Sequence, residues 1–224
     1  MKRYFITGTD TDCGKTYVTA TLLQYLKQQD KKALAIKPVA SGCSEEGSEL
    51  ISADALYLSS HNGDFPHEIC PWRLRLPISP HLAAEHDGVT LSAHALADFC
   101  QDEKFSEFDY LLVEGAGGLL VPLNAQETWV DFLKYSKMPV ILVVGMRLGC
   151  INHALLTALA LKQHDIECAG WIANCLAKDM RALSENIKTL TDKMQPPLLA
   201  TIPYDGLAKD VTINKHIFCS TRVC

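Results

Sequence analysis

Residues 5–19 read FITGTDTDCGKTYVT and end in Gly14-Lys15-Thr16, the ending of a phosphate-binding loop. The common form is GxxxxGK[ST], with four residues between the glycines. Gly8 and Gly14 are separated by five. Such a loop aims successive backbone N–H groups at phosphate oxygens, and the helix after it adds its positive end. Lys15 would neutralise the outer phosphates and the Thr16 hydroxyl would ligate magnesium. The extra residue points away from the common GTPase form, toward a loop that carries Thr9 to Asp12 around the phosphates.

Magnesium recruits carboxylates. Glu114 ends the apolar run DYLLVEG (109–115), where an acid is expensive to bury unless it meets a cation. Asp54, in ISADAL, is a second candidate, with an exposed helical acid as the plain alternative. Gly115, Ala116, Gly117 and Gly118 follow Glu114 and would let a backbone approach a ligand closely; a simple strand-to-loop turn reads the same way. Lys37 ends the run KALAIKP (32–38), where it could neutralise a transferring phosphoryl group or lie on the surface. Ser41, just beyond, is a candidate ligand or a turn cap. GCINHALL (149–156) opens a helix after glycine, so N–H groups of Cys150, Ile151 and Asn152 could hold a carboxylate, or Asn152 could simply cap.

These residues need a frame that brings them together. Strand-like runs at 3–8, 32–38, 109–115, 139–145, 167–174 and 198–204 alternate with helical periodicity at 16–29, 49–60, 91–100, 151–164 and 179–194. The stretch 61–81, with four prolines, reads as loop. Strands alternating with helices predict an α/β fold: a P-loop NTPase-like, mostly parallel sheet covered by helices on both faces. Ligands then bind beyond the carboxyl ends of the strands. At 224 residues, without a repeat or linker, a single domain over 1–224 is expected.

The formal net charge of −5 argues against nucleic-acid binding through bulk positive charge. No apolar run approaches the ~18 residues of a membrane span, and the first residues lack a signal-peptide core. Nine cysteines without CxxC pairs suggest reduced thiols rather than a disulfide framework or zinc site. A cytoplasmic location follows as the expectation.

Taken together, GTDTDCGKT (8–16), KPVASG (37–42), SPH (79–81), VEGAGG (113–118), PVILVVGMRLGCINHALLTA (139–158), GWIAN (170–174) and IPY (202–204) resemble the dethiobiotin synthetase family, in family order across nearly the whole chain. The five-residue spacing is that family's own loop. The resemblance implies an ATP-dependent enzyme acting on 7,8-diaminononanoate (diaminopelargonate). One amine takes up carbon dioxide as a carbamate, ATP phosphorylates it, and the second amine closes a cyclic urea and expels phosphate.

The resemblance also assigns residues. It implies catalytic roles for Lys37, Lys15 and Thr11, and magnesium ligation by Thr16, Asp54 and Glu114. ATP contacts are implied for Asp12, Cys13, Gly14, Lys15, Thr16, Tyr17, Asp54, Glu114, Gly115, Ala116 and Gly117. Asn174, Cys175, Pro203, Tyr204 and Asp205 would belong to the adenine end. Thr11, Lys37, Ser41, Gly117, Cys150, Ile151 and Asn152 would meet the substrate. The last three would act across the interface of a two-fold homodimer. The chain departs from the family at Asp12, usually Glu, at Cys13, usually Val, and in the tail after Pro203.

The rival from another class is a regulatory switch ATPase acting through protein partners. Its KGGxGK[ST] loop carries an extra lysine that is absent here, positions 9 and 10 being Thr and Asp. A cobyrinate-type amide synthetase would need a glutaminase domain for which the chain has no room. A degenerate binding module would have lost Lys15, Thr16, Lys37 or Glu114, and all four are present.

Overall fold

The computed structural model describes residues 1–206 and Ile213. The elements in chain order are β1 (Lys2–Gly8), α1 (Lys15–Gln28), β2 (Ala33–Ile36), β3 (Val39–Ser41), β4 (Ser44–Glu46), β5 (Glu49–Ile51), α2 (Ala53–Asn62), β6 (Trp72–Leu74), α3 (Pro80–His86), α4 (Ala93–Gln101), β7 (Tyr110–Gly118), α5 (Trp129–Ser136), β8 (Val140–Met146), α6 (Cys150–Gln163), β9 (Cys168–Cys175), α7 (Leu183–Lys193) and β10 (Leu198–Ile202).

Six strands form one sheet in the order β10-β9-β8-β1-β7-β2, all parallel. Their residues are buried almost without interruption, as strands covered on both faces must be. In β8, Leu142, Val144 and Met146 pack with residues of α6 and α7, while Ile141 and Val143 join the larger cluster that holds α1, α4 and α5. Phe5, Trp129 and Phe132 form an aromatic knot in that cluster, with ring centroids 5.1 to 5.4 Å apart. β1 lies between β7 and β8, so the strand order reverses around it. A crevice opens beyond the carboxyl ends at such a reversal. There β1 and β7 fall out of step: Ile6 faces Glu114, but Gly8 faces Gly118. The bulge holds Gly115–Gly117, with Gly117 at φ 68°, which glycine adopts readily.

Three sequence expectations need correction. The proline-rich stretch 61–81 contains β6, which pairs in parallel with β3, and its end enters α3. Residues 49–51 form a strand of a small hairpin rather than the start of a helix; α2 begins at Ala53 because the Ser52 side chain caps it, accepting from the Ala55 N–H (3.2 Å). The last amphipathic helix starts at Leu183, not 179, since Ala182 sits in the left-handed region at φ 54°. The sequence reading assigned no element to 119–138, where α5 lies behind a Thr128–Asp131 capping box. Among the described residues no helix is long and apolar enough to cross a membrane, and seven cysteines are free. Cys219 and Cys224 lie outside the described residues.

Candidate active site

The loop from β1 to α1 is shaped by Gly14, at φ 85°. A Cβ there would lie 2.1 Å from Asn174 Nδ2. Asn174, buried at the end of β9, donates to the Cys13 carbonyl (2.9 Å) and supports the loop from beneath. Cys13 is itself buried, packed where any side chain on Gly8 or Gly145 would collide with it. Its thiol is therefore an apolar filler. Lys15 donates to the Asp10 carbonyl (3.0 Å). The Asp10 carboxylate accepts from the Thr11 N–H (2.8 Å) and pairs with Arg147.

Across the crevice three strand and helix ends converge. Lys37 follows β2, Glu114 lies in β7 and Asp54 is in the first turn of α2. Lys37 Nζ donates to Glu114 Oε1 (2.6 Å) and pairs with the Asp54 carboxylate. Thr16 Oγ1, from α1, donates to the same Glu114 oxygen (2.7 Å). Lys37 and Glu114 are 5% and 1% exposed, so neither charge is dispersed by water. Burial pushes the Lys37 pKa down, but the charges of Glu114 and Asp54 and their hydrogen bonds outweigh it, and the pKa is raised. Burial pushes the Asp54 carboxyl up, and Lys37 more than reverses this, leaving it below the usual carboxylate range. Among the described residues, buried Glu114 Oε2 finds no hydrogen-bond partner, nor does Ser41 Oγ. A buried carboxylate oxygen without a donor suits a hard cation. Thr16, Asp54 and Glu114 supply the all-oxygen set that magnesium takes.

These groups border a cleft of about 850 Å³. Thr11, Asp12, Gly14, Lys15, Thr16 and Tyr17 form one side, with Lys37, Ser41, Asp54, Glu114, Ala116 and Gly117 opposite. The structure thus brings together most of the candidates named from the sequence. Pro77, Ile78, Ser79, Pro80 and Val121 complete the wall. Of these only SPH (79–81) stood out in the sequence, and without a role. Arg147, paired with Asp10, is a further residue at the loop that the sequence left unassigned.

A family model described as "AAA domain" matches residues 2–212. The ATP-dependent dethiobiotin synthetase BioD of Legionella pneumophila (strain Corby) is 53% identical over 215 residues, covering 96% of this chain and 99% of that protein. The protein of the same name from Pseudoalteromonas translucida is 43% identical, over 97% and 96% of the two chains. The chain belongs to the dethiobiotin synthetase family. Among solved structures, chloroplast FtsY from Physcomitrella patens superposes with a TM-score of 0.59 at 18% identity, covering 97% of this chain and 63% of that one. MinD from Pyrococcus horikoshii, complexed with Mg-ADP, gives 0.55 at 18% identity, over 91% and 82%. Those two share the fold.

Other candidate residues lie off the cleft wall. Gly115 sits in the bulge, where a Cβ would strike the Phe5 ring at 2.5 Å. Cys175 is buried at the end of β9. Pro203, Tyr204 and Asp205 are exposed in a turn closed by Gly206 N–H donating to Pro203 O (3.0 Å), and the Tyr17 hydroxyl donates to the Gly206 carbonyl. That contact ties the turn to the phosphate-loop helix. At the start of α6, the Cys150 N–H donates to the Arg147 carbonyl (3.0 Å), so it is not a free donor as the sequence suggested. Ile151 and Asn152 stand outside the main cleft. A second groove of about 390 Å³ runs from Thr9–Thr11 past Leu119–Pro122 to Leu156, Thr157 and Ala160 on the same helix.

Proposed function

We propose that this chain is an ATP-dependent dethiobiotin synthetase, forming dethiobiotin from 7,8-diaminononanoate and carbon dioxide with release of ADP and phosphate. The observation that carries the reading is the meeting of Lys37, Glu114, Asp54 and Thr16 at the mouth of the phosphate loop, in a chain 53% identical to a named synthetase.

One amine of the substrate attacks carbon dioxide and loses a proton, giving a carbamate. A carbamate oxygen attacks the γ-phosphorus of ATP, ADP departs, and a carbamic–phosphoric anhydride forms. The second amine attacks the carbonyl carbon, the ring closes and phosphate leaves. Lys37 is an ammonium that stabilises charge on the carbamate and the transferring phosphoryl group. Lys15 exchanges the Asp10 carbonyl for the outer phosphates. Thr11 and Ser41 orient the diamine end, Ser41 bringing a buried hydroxyl that has no other partner among the described residues. Asn174, Cys175 and Pro203–Asp205 form the adenine end. Thr16, Asp54 and Glu114 would hold magnesium, which supplies positive charge beside the phosphates when bound.

Leu148, Leu156 and Leu159 are exposed in and just before α6, and exposed Leu120 lines the second groove together with Leu156. Exposed apolar side chains so grouped suit a self-complementary face, and the protein is read as a two-fold homodimer. In it Ile151 and Asn152, in the first turn of α6 of one protomer, receive the substrate carboxylate of the other. The whole chain acts as one domain in the cytoplasm.

The test is an omission assay with diaminononanoate, bicarbonate, magnesium and ATP. Dethiobiotin and phosphate should appear one-for-one, and both should vanish without diamine or bicarbonate. Phosphate released regardless of diamine, with no dethiobiotin, would overturn the reading in favour of a switch ATPase.

A further inference from the structure

The elements that carry Thr16, Lys37 and Asp54 meet a second time, away from the cleft. Lys27, in the last turn of α1, donates from Nζ to the carbonyls of His61 (2.6 Å) and Asn62 (2.7 Å), the last two residues of α2. A cation on the carboxyl end of a helix also meets its negative pole. The Asn62 side chain turns to β2, where Oδ1 accepts from the Ala35 N–H (2.9 Å) and Nδ2 donates to the Ala35 carbonyl (2.8 Å). Among the described residues, β2 has only β7 beside it in the sheet. The two Ala35 groups are those a further strand would pair, and the Asn62 amide takes the place of one residue of that strand. Asn62 is 9% exposed, and a buried amide matched at both ends is fixed in orientation.

Asp54 lies eight residues before Asn62 on the same helix, about 12 Å away at 1.5 Å per residue. A tilt of about 5° at the Asn62 end therefore moves the Asp54 backbone by about 1 Å. Metal–oxygen bonds tolerate deviations of about 0.2 Å. The joint at the far end of α2 is thus stiff enough, and distant enough, to govern the position of the carboxylate.

We propose that Lys27 and Asn62 are positioning residues: they fix α2 on α1 and β2 and so set the Asp54 carboxylate against Thr16 and Lys37 for magnesium–nucleotide binding. This rests on the function proposed above. The experiment measures affinity for the β,γ-imido analogue of ATP by calorimetry, with magnesium and with EDTA, for the full chain and for Asn62→Leu, Lys27→Met and Lys27→Arg. In the unaltered protein magnesium should tighten binding; no magnesium effect there would count against the function itself rather than this joint. Asn62→Leu should weaken magnesium-dependent binding about tenfold, as supporting residues around metal ligands do, with binding in EDTA changed less than about twofold. Lys27→Met should show the same split at smaller size and covers the case in which Asn62→Leu does not fold. Lys27→Arg, keeping a donor cation, should restore it. A lower melting temperature with the magnesium effect intact would overturn the proposal and leave the joint a folding element alone.

Discussion

Lys37 faces two carboxylates and is closed off from water, so its charge is held for whatever enters the cleft. Lys37→Ala should lower turnover by at least about 10²-fold, the scale of losing one charge-stabilising donor. Nucleotide affinity should stay near that of the parent, because Lys15 and the loop N–H groups remain. Coupled measurement of dethiobiotin formation and calorimetric nucleotide binding checks both halves; full turnover would refute the role. At this scale much was legible. A lysine and a glutamate at the ends of apolar runs are costly unless they meet opposite charge, and they meet each other. Arg147 and Asn62 were not legible. Each acts through a partner more than 20 residues away, and nothing in its own neighbourhood marks it.

At the scale of elements, the bulge at the end of β7 depends on α5. Trp129, the first residue of that helix, donates from Nε1 to the Ala116 carbonyl (2.9 Å), holding the segment that lines the cleft. Trp129→Phe keeps the ring cluster but removes the donor. We expect a stability loss of about 1 kcal/mol and an ATP KM about fivefold higher, with kcat changed less. Thermal melts and steady-state kinetics would show it; an unchanged KM would mean the bulge stands without the helix. The periodic strands and helices were readable because burial imposes their spacing. Strands of three residues, such as β3 to β6, carry too few side chains to show a period, and proline in 61–81 reads as loop even where a short strand is present.

For the molecule as a whole, burial raises several thiols from their ordinary value of 9.0, Cys168 to about 11 and Cys70 to about 12. Above pH 9 the unfolded chain releases these protons while the folded chain keeps them. Stability is therefore full below pH 9 and falls as pH rises, by about 1.4 kcal/mol per unit for each such thiol, until the folded thiol itself ionises. Urea unfolding between pH 8 and 11 should show the decline, and Cys70→Ala should make it shallower by about one proton above pH 9; an equal slope would refute the assignment. The apolar face of α6 makes a second prediction at this scale. On the two-fold homodimer proposed above, Leu156→Glu should give monomer in light scattering and lower turnover by at least about tenfold, because each site would lose the residues its partner is proposed to supply. A dimer that survives the change would place the interface elsewhere.

The central position of β1 has a consequence during synthesis. Its neighbours on the two sides are β7 and β8, so the first strand made pairs with residues more than 100 and 130 positions later. At a ribosomal rate of about 5–20 residues per second, Tyr4, Phe5 and Ile6 wait on the order of 5–20 s before residues 112–114 exist to cover them. The emerging chain thus carries this largely buried strand uncovered until β7 has been made. A holding chaperone would find its binding segment there, and nascent chains stalled before residue 110 should be captured through residues 3–8 and released once β7 has been made.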